Sequence, residues 1–150
     1  MSEQTLENPF VRPATPIPFG SMAAHFIEPA IDQLLVEAQS RIDALLAVKG
    51  PRTYENTMET IDVLMEDINV TMGLVEHLEE LTGAEEIRAA YQQVQPKVTA
   101  FASSIATNEG IWTALKAFAQ TREAKDLDPV KARFLRLTMD DFRRQGADLP

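Results

Sequence analysis

The stretch Thr53–Leu81, TYENTMETIDVLMEDINVTMGLVEHLEEL, decides the fold. An apolar row runs through Tyr54, Met58, Ile61, Met65, Ile68, Met72 and Val75 in steps of four and three, the period of one face of an α-helix. A second row, Leu64, Leu74, Leu78 and Leu81, lies beside it. Together they make a stripe wide enough to pack against two neighbours. The remaining face carries Glu55, Glu59, Asp62, Glu66, Asp67, Glu76, Glu79 and Glu80, and the span holds no Lys or Arg. The spacing predicts one long amphipathic helix with an acidic outer face.

Upstream of this spine, Ile31, Leu34, Leu35, Ala38, Ile42, Leu45 and Leu46 form another helical face, with Pro29 in a first-turn position where its missing N–H costs nothing. Lys49 is expected in the last turn of that helix, and Gly50 and Pro51 stop it. Ser21–His25 reads as a turn leading in. Thr53 is the expected N-cap of the spine, with Glu55 favoured by the helix dipole. Residues 1–20 hold Pro9, Pro13, Pro16 and Pro18, a density that prevents regular helix. Phe10, Val11, Ile17 and Phe19 are interleaved with them, so this reads as an extended Pro-rich arm lying across a helical surface.

Downstream, Thr82 and Glu85 have capping-box spacing for a third helix, whose face is Ile87, Tyr91, Val94, Val98, Phe101 and Ile105. Pro96 falls inside that run, removes one backbone hydrogen bond and is expected to kink the helix there. Asn108 and Glu109 open a short helix carrying Ile111, Trp112, Leu115 and Phe118. Gln120–Leu127 is polar and reads as a frayed end and a loop. Asp128 followed by Pro129 starts a fifth helix with Val130, Phe134, Leu135, Thr138 and Phe142, closed by Arg143, Arg144 and Gly146. Asp148–Pro150 reads as the start of more chain. No segment alternates as a strand does. The expected class is all-α: an antiparallel bundle of about five helices with long helical hairpins over residues 21–150, preceded by the arm over residues 1–20.

Composition bounds the function. The 150 residues include no cysteine, which rules out disulfides, thiolate metal sites and Cys nucleophiles. The net charge of −9 argues against nucleic acid or an anionic membrane as the main partner. No apolar run reaches the roughly 20 residues of a membrane span. There is no basic region followed by an apolar core at the N-terminus, so the expected compartment is the cytoplasm.

The chain also lacks the constellations of an enzyme. His25 and His77 are the only histidines, and neither has a Glu three residues before it, as a carboxylate bundle site requires; HExxH is absent. His25 reads as a capping or packing residue and His77 as a surface one. There is no G-x-S-x-G and no phosphate-binding glycine loop. Met58, Met65 and Met72 recur every seven residues, which fits core filling better than an adaptable binding face. Trp112 and Tyr91 read as core anchors rather than the lining of a pocket. The site reading is therefore empty: no catalytic residue, no cofactor-binding residue and no metal ligand.

Six strings, in order, carry a family resemblance: NPF (Asn8–Phe10), HFIEPAIDQLL (His25–Leu35), TYENTM (Thr53–Met58), EIRAAYQQVQPKV (Glu86–Val98), NEGIW (Asn108–Trp112) and DFRRQGADLP (Asp141–Pro150). Together they resemble the N-terminal region of the thimet oligopeptidase, oligopeptidase A and dipeptidyl carboxypeptidase family of zinc metallopeptidases. The resemblance implies a large helical enzyme whose deep channel admits only short peptides. Its zinc is held by HExxH and a further Glu, all far C-terminal to the region seen here. None of those residues is in this chain, so no catalytic role carries over.

What the resemblance implies here is a non-catalytic helical wall of the channel, inactive alone. Zinc belongs to the parent enzyme, the catalytic domain is the partner, and short peptides are met through that parent. The alternative is a stand-alone helical interaction module that kept the fold without the enzyme. A cut region would leave bare an apolar face, with a homodimer through it as one outcome. Val63, Val70, Ile111 and Leu137, apolar positions outside the main stripes, point that way.

Overall fold

Ile27, Ala30, Ile31, Leu34, Ala38, Ile42 and Leu45 are all buried along one side of a single helix, α1 (Ile27–Leu46), because three-and-four spacing lays them in one stripe. The computed structural model describes residues 8–13 and 23–147. Along them, a 3-10 turn at Ala24–Phe26 leads into α1. A π-helical stretch at Tyr54–Glu59 then runs into α2 (Thr60–Val63), followed by α3 (Glu66–Thr82) and α4 (Glu85–Ala106). The remaining helices are α5 (Glu109–Ala119), α6 (Arg122–Lys125) and α7 (Pro129–Arg144). No strand occurs among the described residues, and the class is all-α.

The spine is not one helix. It opens at Thr53 as expected: the Thr53 hydroxyl accepts from Asn56 N at 3.1 Å, and Asn56 Oδ1 accepts from Thr53 N at 2.9 Å. It breaks, however, at Leu64 and Met65, where Met65 sits at φ −104°, ψ −3°. Leu64 N reaches only Ile61 O, at 3.3 Å, before Asn69 N resumes the α pattern onto Met65 O at 2.8 Å. The stripe keeps its phase across the break but serves two cores. Met58 and Leu64 enter one, and Leu74, Val75 and Leu78 enter the other. Leu81, expected in the second row, is 63% exposed.

Other boundaries differ for local reasons. Lys49 lies beyond the end of α1; Arg52 Nη1 instead reaches back to donate to Leu45 O at 2.8 Å, satisfying an end carbonyl. Thr82 is the last residue of α3 rather than a cap of α4. Its hydroxyl donates to Leu78 O at 2.7 Å and accepts from Ala84 N at 3.2 Å, while Gly83, at φ +60°, closes the helix. Within Gln120–Leu127, expected as loop, Thr121 caps α6 by accepting from Ala124 N at 3.1 Å. Asn108 and Asp128 cap α5 and α7 as expected, accepting from Ile111 N at 3.0 Å and Lys131 N at 2.9 Å. With the split spine and α6, the described residues hold seven α-helices rather than about five, two of them of four residues.

The described part of the Pro-rich arm, residues 8–13, contains a turn where extended chain is expected, and Phe10 is fully buried. The rest of the arm, and the closing Asp148–Pro150, lie outside the described residues.

The chain divides into two compact units, the first Met1–Glu37 with Met65–Ala100 and the second Ala38–Leu64 with Phe101–Pro150. The first gathers Phe10, Ile27, Ile31, Val75, Ile87 and Val94 into one core. Lys97 Nζ donates to Glu28 at 2.8 Å and Asp32 at 3.0 Å there, and Arg88 Nε donates to Glu79 at 2.9 Å across the short α3–α4 joint. The second unit gathers Ile42, Met58, Ile111, Leu115, Phe118 and Phe142. In it the Trp112 ring lies parallel to Phe142 at 6.0 Å, and Tyr54 meets the edge of Phe118 at 6.1 Å.

Candidate functional surfaces

Neither histidine reaches a cluster of ligands. His25 is exposed, its ring 4.2 Å from that of Phe26, and His77 is exposed on α3. Among the described residues no group of three or more His, Asp or Glu side chains could hold a metal ion. A zinc centre of the HExxH kind needs two imidazoles on one helix face with a carboxylate beside them. The donor set of this chain does not fit one.

The methionines are likewise divided. Met58 is fully buried in the second unit's core, Met72 packs against the first unit's core, and Met65 sits half-buried at the break. Trp112 belongs to the core of the second unit and Tyr91 packs on that of the first. Lys116 and Arg143 each place a cation 5.6 Å from the Trp112 ring.

Ionisable groups are tuned by burial and by charge. Burial raises the Tyr54 hydroxyl above its ordinary pKa, helped by Asp62, Glu59 and Asp128. Tyr91 is raised in the same way by burial, then Glu76 and Glu79. Hydrogen bonds that Lys97 donates to Glu28 and Asp32 raise its pKa, and those that Arg12 donates to Glu37, then Asp67, raise that of Arg12.

Two concavities stand out. One, of about 660 Å³, is lined by Ala23, Ala24, Ala84, Ile87 and Ala90 together with His25 and Glu86. The other, of about 140 Å³, lies between the start of α5 (Asn108, Glu109, Trp112) and Gln145–Ala147. Neither brings a nucleophile and a base together. Among the expected bare apolar positions, Val63, Val70 and Leu137 are exposed, at 36%, 53% and 43%. Ile111 is not: α5 buries Ile111, Trp112, Ala114, Leu115 and Phe118, so its apolar face wraps most of its girth.

A feature the periodicity does not announce is the turn at Asn8–Arg12. Thr71, one of two fully buried polar residues among those described, donates its hydroxyl to Phe10 O at 2.5 Å. Arg12, at φ +48°, forks onto Glu37 at 2.8 and 3.2 Å and reaches Asp67 at 3.3 Å. Asn-Pro ahead of an aromatic is the one sequence sign of it.

Comparison with known proteins gives these surfaces their setting. The family profile described as "Neurolysin/Thimet oligopeptidase, N-terminal domain" matches residues 31–150. This chain belongs to that family. It is similar to the probable cytosolic oligopeptidase A of Arabidopsis thaliana, 27% identical over 99% of this chain and 21% of that relative. Oligopeptidase A of Escherichia coli is 21% identical over 97% of this chain and 21% of its own length. The organellar oligopeptidase A of Arabidopsis, chloroplastic or mitochondrial, is 24% identical over 97% and 20%. The chain thus spans about a fifth of the curated relatives it matches. The alignments with these relatives extend over nearly all of this chain, whereas the family profile begins at residue 31. No helix among the described residues is long and apolar enough to cross a membrane.

Proposed function

We propose that this chain is the non-catalytic N-terminal helical region of a zinc-dependent oligopeptidase that hydrolyses short peptides, and that it forms part of the wall of the substrate channel. Membership of the oligopeptidase N-terminal domain family carries the reading. The absence of HExxH from the sequence supports the division of labour, with zinc and the catalytic groups supplied by the catalytic domain of the same peptidase. That domain is the partner, and exposed Val36, Val70, Leu81 and Val130 are the apolar positions available to meet it or a second copy. The cytoplasm is the proposed compartment, in keeping with one relative named as cytosolic.

The test is hydrolysis of short fluorogenic peptides by the purified chain with added zinc, alongside metal analysis after dialysis. The expected result is no chelator-sensitive turnover and no stoichiometric zinc. Turnover abolished by a chelator overturns the reading.

A further inference from the structure

The first unit holds residues 8–12 as a receptor holds a ligand. The turn is closed on itself: Val11 N donates to Asn8 O at 3.0 Å and Phe10 N to Asn8 Oδ1 at 3.0 Å, with Pro9 between them. Every outward contact then goes to a residue far along the chain. Asn8 Nδ2 donates to Phe26 O at 2.7 Å. The Phe10 ring is wholly buried in the core that contains Ile27, Ile31 and Val75. The Phe10 carbonyl accepts from the buried Thr71 hydroxyl, and the Arg12 guanidinium takes Glu37 and Asp67. Amide, ring, carbonyl and cation each have their own partner, from 18 to 61 positions away. A pre-formed turn read at four separate points is how peptide-binding grooves obtain both affinity and specificity.

We propose that this socket is a peptide-recognition site. Residues 8–12 fill it within the chain, and it also accepts the same Asn-Pro-Phe-Val-Arg turn from a second copy. Ten residues, 13–22, separate Arg12 from Ala23, a length of chain sufficient for the turn to compete with one supplied from outside. The tethered turn has the advantage of an effective concentration on the order of millimolar. Occupancy from outside is therefore seen when the chain's own turn is weakened. The inference stands apart from the peptidase reading, since it needs only the geometry of the first unit.

The experiment uses full-length Phe10→Ala and a fluorescent peptide with the sequence of residues 7–13, followed by anisotropy. Saturable binding at least ten-fold tighter to Phe10→Ala than to the wild-type chain is expected. Binding should be lost when the peptide carries Ala in place of Phe. No binding, or equal binding to both chains, overturns the proposal. If Phe10→Ala loses its helical circular dichroism, Arg12→Ala, which breaks only the exposed fork, takes its place under the same criterion. Amide exchange of the wild-type chain gives an independent reading. The amides of Phe10, Val11 and Arg12 must exchange at least ten-fold faster than those of Leu74 and Val75; exchange in step with those core amides shows an inseparable turn and sinks the idea.

Discussion

Tyr54 concentrates several forces on one side chain. Its ring meets Phe118 edge-on, Lys131 Nζ stands 4.7 Å over its face, and its backbone N–H donates to Glu123 Oε1 at 3.0 Å. Burial, then the charges of Asp62, Glu59 and Asp128, disfavour the phenolate and raise its pKa above the unfolded value near 10; Tyr91 is raised likewise. Between the unfolded and folded pKa values the native state binds more protons than the unfolded chain, so stability falls as pH rises through that window and is fully present below it. Urea denaturation at pH 9, 10 and 11 should show a declining midpoint. Tyr54→Phe, which keeps the ring and removes the ionisation, should flatten that decline. An unchanged slope in the variant would show that Tyr54 titrates alike in both states.

At the scale of elements, caps decided most boundaries. Asp128 accepts from Lys131 N, and Pro129 follows at the first position of α7, an exposed helix start with little core contact to compensate for a lost cap. Asp128→Ala should cost about 1 kcal/mol, or a lowering of Tm by about 2–4 °C for a chain of this size, measured by thermal denaturation. A neutral result would mean that packing of Phe142, not the cap, fixes the helix.

The same elements show what the sequence made legible. Thr53, Asn108 and Asp128 are local signals acting on their own next turn, and each was readable. The break at Leu64 and Met65 was not, because the apolar period runs through it unchanged; only tertiary packing tells that Met58 and Val75 belong to different cores. The Thr71–Phe10 bond was equally hidden, since a threonine on an apolar face carries no sign of a partner 61 residues away. The absence of HExxH, by contrast, is plain, because a motif is visible in one dimension.

For the molecule as a whole, charge is the dominant long-range term. Acidic residues number 23 against 14 basic ones, so the folded chain repels itself. Opposing this are local pairs at Arg12, Arg88, Lys97 and Arg143, all with side chains well exposed. Exposed pairs contribute about 0–1 kcal/mol each and are themselves weakened by salt. Raising salt from about 10 to about 150 mM shortens the screening length from about 30 to about 8 Å. That range removes repulsion between distant carboxylates more completely than attraction across contacts of about 3 Å. Tm should therefore rise by a few degrees over this interval in sodium chloride, followed by circular dichroism. A falling Tm would mean that the local pairs, Arg12 on Glu37 and Asp67 foremost, outweigh the net charge. The acidic surface would then be a balanced network rather than an excess of repelling charge.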